Sequence, residues 1–89
     1  MEDTPMTKAQ RGRHLEDIIT KIKSLGFTID RWGNFKKGVG EKQYRFKLQK
    51  TSLRYELKCG SDWRNIVSDY FSNITIIGDG IEIKGKVIK

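Results

Sequence analysis

Tyr44-Arg45-Phe46-Lys47-Leu48-Gln49-Lys50-Thr51-Ser52-Leu53-Arg54-Tyr55-Glu56-Leu57-Lys58-Cys59 alternates apolar and polar residues twice, with a short polar break between the two runs. A period of two sends successive side chains to opposite faces of a strand, so each run predicts a half-buried strand. A turn centred on Thr51-Ser52 sets Leu48 opposite Tyr55, Phe46 opposite Leu57 and Lys47 opposite Glu56. Both faces of that hairpin are self-consistent, and a one-residue slip would turn every apolar side chain to solvent. Tyr44, Phe46 and Tyr55 take the core-facing parity, while Arg45, Lys47, Gln49, Arg54 and Lys58 share the other side.

Upstream, Leu15, Ile18, Ile19, Ile22 and Leu25 recur at helical spacing and draw one apolar stripe. Thr7 and Gln10 have the spacing of a capping box, and Gly26 is a stop signal with Lys21 and Lys23 suited to the C-terminal turn. Phe27 to Asp30 begin a strand, Arg31 to Phe35 read as a turn or bulge, and Gly38-Val39-Gly40 as a flexible loop. Downstream, Ser61 has the chemistry of a helix cap, and Trp63, Ile66, Val67, Tyr70 and Phe71 repeat at helical spacing, predicting a second helix with a buried stripe. Ile74 to Ile77 and Ile81 to Ile88 are β-branched runs around Gly78-Asp79-Gly80, where Asp79-Gly80 is a hairpin signal. The expected fold is α+β, an antiparallel sheet with two helices in the element order α-β-β-β-α-β-β. Residues 1–6 are expected to form a disordered N-terminal tail and residues 7–89 a single α+β domain.

A chain of 89 residues supports one core. It contains no run of about 20 apolar residues. Met1-Glu2-Asp3-Thr4-Pro5 is acidic where a secretory signal is basic, so a cytoplasmic location is expected. Cys59 is the only cysteine, which excludes an internal disulfide or a multi-cysteine zinc site and points to a packing role in the core. The net charge is +7, and its placement is more informative than its size. Arg31 to Lys58 hold nine basic residues against Glu41 and Glu56, whereas the flanks carry nine of each sign and cancel. Charge concentrated in this way attracts polyanions.

Catalysis by a nucleophile and a base has little to draw on, with one histidine and one cysteine in the chain. His14 reads as a solvated helix residue beside Glu16 and Asp17. A paired-carboxylate mechanism would need residues such as Asp30 and Asp69 brought together. Gly38-x-Gly40 is too short for a dinucleotide fingerprint, and Asn73-Ile74-Thr75 matches a glycosylation pattern by accident. No enzymatic activity, cofactor or metal is expected.

Helix, three antiparallel strands and helix over residues 7–72 resembles the element order of double-stranded RNA-binding domains. The resemblance is topological. That family starts its second helix with a lysine cluster, where this chain has Gly60-Ser61-Asp62-Trp63-Arg64, and Gly38-Val39-Gly40-Glu41 lacks the histidine of the family's loop. Membership is not implied.

The expectation with most support is a small non-enzymatic nucleic-acid-binding module of little sequence specificity, for RNA or DNA. Its contacts would come from Arg45, Lys47, Arg54 and Lys58 on the sheet, with Arg31, Trp32, Lys36 and Lys37 from the neighbouring turn. Trp32 or Phe35 is placed either to cover the end of the core or to stack on an unpaired base. The alternative is a protein-protein interaction module, an accessory or mobile-element protein. It would bind an acidic partner through the same patch or dimerise by pairing the Ile81 to Ile88 strand.

Overall fold

In the computed structural model, which describes residues 8–40 and 42–89, the predicted stripe forms α1, Lys8–Ser24. Ile18 and Ile22 on that stripe are fully buried. The capping box at Thr7 and the tail before it lie outside the described residues. Five strands follow: β1 Thr28–Ile29, β2 Phe35–Val39, β3 Lys42–Leu48, β4 Ser52–Cys59 and β5 Asp62–Tyr70. They pair antiparallel in sequence order. A short 3-10 helix at Phe71–Asn73 leads into β6 Thr75–Ile77, β7 Gly80–Ile83 and β8 Lys86–Ile88, a second antiparallel sheet. Among the described residues no helix is long and apolar enough to cross a membrane.

The mixed α+β class with antiparallel pairing is as expected, but among the described residues there is one α-helix and not two, and the strands divide between two sheets where one was expected. Residues 62–70, read as helical, form the fifth strand. Cys59 pairs with Asp62, leaving Gly60-Ser61 as a two-residue loop with Gly60 at φ +63° in its first central position. A glycine there makes the tight turn that returns one strand directly beside another. The helical spacing arises from a β-bulge: Tyr55 pairs with Val67 and Glu56 with Asn65, so Ile66 is an extra residue. Ile66 and Val67 both pack on the core, which a regular strand would not allow, and Trp63 and Tyr70 go to the other face.

Three smaller differences concern turns. The β3–β4 hairpin keeps the expected faces, but Leu48 pairs with Leu53, Phe46 with Tyr55 and Arg45 with Glu56, a register two residues tighter than predicted. The Gly38-Val39-Gly40 segment is no loose loop, since Gly38 and Val39 belong to β2 and pair with Gln43 and Lys42. In the C-terminal part, Ile77 pairs with Gly80, so the turn is Gly78-Asp79. The run from Ile81 to Ile88 folds back at Lys84-Gly85, with φ of +50° and +81°. That positive pair is the geometry of a type I′ hairpin, and it replaces one long strand with two short ones.

The core lies between the layers. Phe35, Phe46, Leu53 and Tyr55 from the inner face of the five-stranded sheet meet Ile18 and Ile22 of α1, with Phe27, Ile74 just before β6, and Ile81, Ile83 and Ile88 of the C-terminal sheet. Phe46 sits at the middle, its ring 4.9 Å from that of Phe27 and 4.8 Å from that of Tyr55. Complete burial of such a side chain contributes about 2–3 kcal/mol. Cys59, expected in the core, is exposed, because the Gly60-Ser61 turn carries the end of β4 beyond the apolar layer. His14 is not simply solvated: its Nε2 donates to the Ile74 carbonyl at 2.9 Å and ties α1 to the start of the C-terminal sheet.

Candidate nucleic-acid interface

The strand period that buries Phe46 and Tyr55 sends Lys36, Arg45, Lys47, Arg54, Glu56 and Lys58 to the outer face. Lys36, Arg45 and Glu56 form one row across β2, β3 and β4, and Lys47 and Arg54 the next. Trp63 pairs with Lys58 and so projects to the same side.

Trp63 starts from the edge strand β5, yet its ring lies 4.3 Å from the Arg45 guanidinium on β3 and 5.7 Å from the Lys36 ammonium on β2. The indole therefore leans across the sheet over the Glu56 row. This explains how a carboxylate on the outer face retains only 3% exposure. Beneath that cover, Arg45 Nε donates to Glu56 Oε1 at 2.7 Å, and Arg54 Nη2 lies 3.3 Å from Oε2. Glu56 was expected to oppose Lys47; the tighter register gives it to the two arginines. A buried carboxylate with two guanidinium partners is satisfied where an unpaired one would be costly.

The turn from Asp30 to Asn34 extends this face. Asp30 Oδ1 accepts from the amides of Trp32 and Asn34, both at 2.9 Å, and Lys36 Nζ lies 3.4 Å from Oδ2. Burial pushes the Asp30 carboxyl up, but the Asn34 and Trp32 amides and the Lys36 ammonium together outweigh it and hold it below the ordinary value. Trp32 stands out from this turn at 67% exposure, with the Arg31 guanidinium 4.5 Å and the Lys36 ammonium 5.6 Å from its ring centroid. It covers no part of the core, a role taken by Phe35 at 2% exposure. Lys36 thus sits within cation–π range of both indoles.

Of the residues singled out by sequence, Arg31, Trp32, Lys36, Arg45, Lys47, Arg54 and Lys58 come together. Lys37 does not. It pairs with Tyr44 on the other face, where its Nζ donates to the Leu25 carbonyl at 2.6 Å and sits 5.6 Å from the Phe27 ring. There it caps the negative end of α1. Trp63 was the residue missed, assigned to a buried helix stripe. Gly60-Ser61, a two-residue turn signal directly after the alternating run of β4, was what would have placed it on a returning strand.

The cations are not equally available. Arg45 and Arg54 are engaged by Glu56 and Lys36 by Asp30, whereas among the described residues Arg31, Lys47 and Lys58 have no ion-pair partner. The face therefore combines three uncommitted positive charges, three partly neutralised ones and two indoles. No family model, curated protein or solved structure matches the chain, so the reading of this face rests on its own residues.

Proposed function

We propose that the chain is a non-enzymatic nucleic-acid-binding module whose outer sheet face contacts the sugar-phosphate backbone with little sequence specificity. The observation that carries this reading is the convergence of Arg31, Lys36, Lys47, Arg54 and Lys58 with two tryptophans on one face. Cations spaced along neighbouring strands suit a chain of phosphates, and release of condensed counterions supplies the affinity. The long C-terminal edge that motivated a dimer is divided by the Lys84-Gly85 turn, which leaves the basic face as the stronger basis for a partner.

The test is fluorescence anisotropy of a labelled oligonucleotide over a salt series, with wild type and a Lys47→Glu, Lys58→Glu double variant. Both lysines lie on the outer face and neither holds an ion pair among the described residues, so circular dichroism should be unchanged. The variant should bind at least tenfold more weakly at low salt, with its salt slope reduced by about 1.4–1.8 for two lost phosphate contacts. Absent or salt-insensitive binding by the wild type refutes the reading. Equal binding to an acidic polypeptide such as polyglutamate would transfer the face to a protein partner.

A further inference from the structure

An indole held in solvent from a fixed support is an unusual use of a large apolar side chain. Among the described residues Trp32 is the most exposed of the large hydrophobic side chains at 67%, yet its backbone is well anchored. Besides the two amides bound to the Asp30 side chain, the Asp30 amide donates to the Asn34 carbonyl at 2.8 Å and the Gly33 amide to the Asp30 carbonyl at 3.1 Å. Four hydrogen bonds within five residues close this turn, so the platform is ordered before any ligand arrives, which lowers the entropic cost of binding.

Both indoles carry a guanidinium, Arg45 at 4.3 Å from the Trp63 ring and Arg31 at 4.5 Å from that of Trp32, and they differ in exposure, since Trp63 is only partly exposed. Arg31 and Lys36 near Trp32 supply positive charge where the phosphates flanking a stacked base would run.

We infer that Trp32 is a stacking platform for one unpaired base, so that the ligand of the outer face is single-stranded nucleic acid. This deepens the nucleic-acid reading above and rests on it. A duplex keeps its base faces stacked on one another and offers an exposed indole nothing along its length. A duplex is read instead by an element that enters a groove. Among the described residues the outer face is a sheet surface with no helix on it, and the cations there without an ion-pair partner, Arg31, Lys47 and Lys58, are few for a duplex and sufficient for a short single strand. The stacking surface makes up what the electrostatics lack. Any base presents a π face, so the preference is for strandedness and not for sequence.

The experiment compares anisotropy titrations of the full chain and its Trp32→Ala and Trp32→Phe variants. The ligands are oligothymidylate of about a dozen nucleotides, an abasic strand of equal length, and a hairpin duplex of equal charge. Trp32→Ala should weaken oligothymidylate binding roughly five- to a hundredfold, and Trp32→Phe should recover most of the loss. The abasic strand should bind wild type no better than oligothymidylate binds Trp32→Ala, and duplex binding should be weaker and indifferent to the substitution. Because Trp32 packs on no core residue, both variants should melt with wild type, which separates lost stacking from lost folding. Salt-dependent binding that is equal for thymidylate and abasic strands and unchanged in Trp32→Ala overturns the stacking inference while leaving the basic face intact. Failure of wild type to bind any of the three ligands overturns the nucleic-acid reading and this inference with it.

Discussion

Glu56→Gln should lower stability and strengthen polyanion binding at once, a combination that follows from the position of one carboxylate. Glu56 is 3% exposed and accepts from Arg45 at 2.7 Å, with Arg54 at 3.3 Å. A hydrogen bond to a buried charge contributes about 1.5–3 kcal/mol, while the Arg54 arm, 35% exposed, is discounted toward the ~0–1 kcal/mol of a surface pair. Glutamine keeps the shape and one acceptor oxygen, so the expected loss is about 2–3 kcal/mol, or a fall in Tm of roughly 10–20 °C for a domain of this size. The same change frees two guanidinium groups on the proposed binding face. If each then contacts a phosphate, the salt slope for a single strand steepens by about 1.4 and low-salt affinity rises. Thermal melting by circular dichroism and anisotropy over a salt series read the two effects separately. A Tm within a degree or two of wild type, or affinity that falls with an unchanged slope, would refute the assignment of Glu56 as the internal counter-charge.

Two further predictions concern the core and its seams. Burial, with the neighbouring Tyr44 hydroxyl in support, pushes the Tyr55 hydroxyl from 10.0 up to about 12. The native state therefore favours the neutral phenol, and the stability this represents is complete below pH 10 and lost between pH 10 and about 12. Ultraviolet titration of wild type against Tyr55→Phe should show Tyr55 ionising late and together with unfolding; ionisation of Tyr55 near pH 10 would contradict the packing. In Gly80→Ala the new Cβ would run into the Ile88 carbonyl, whereas at Gly78 nothing lies within 4 Å. Gly80→Ala should cost about 1–3 kcal/mol and Gly78→Ala should be neutral or slightly stabilising, as denaturant midpoints will show.

Sequence reasoning read best where a single periodicity ran without interruption. The stripe from Leu15 to Leu25 made α1, and the alternation from Tyr44 to Cys59 made β3 and β4 with Phe46, Leu53 and Tyr55 inside, though not Cys59. It failed at residues 62–70 because one inserted residue, Ile66, converts a period of two into a spacing that also fits a helix. Trp63, Ile66, Val67 and Tyr70 are consistent with both, and only the turn at Gly60-Ser61 separates them. The basic face was legible because strand parity fixes sides whatever the exact register. Its internal pairing was not, since a two-residue change of register decides whether Glu56 meets Lys47 or Arg45. Lys37 was misplaced for a related reason: read as part of a loop it had no side, and as part of β2 it has the inner one.

Within each sheet every strand pairs with its neighbour in sequence, but α1 finds its packing partners in β6, β7 and the 3-10 helix. His14 meets Ile74 across sixty residues, and Lys21 reaches the Gly78 carbonyl across fifty-seven. During synthesis the hairpins of the large sheet can close within microseconds of emerging. The helix, made first, must wait for Ile81, Ile83 and Ile88, a delay of seconds at about 5–20 residues per second. Until then Ile18 and Ile22 on one element, and Phe35, Phe46 and Leu53 on the other, are apolar surfaces without a lid. Sealing the molecule is thus the work of its final hairpins, and a released fragment ending near residue 75 would keep all five strands of the large sheet yet be sticky on its inner side.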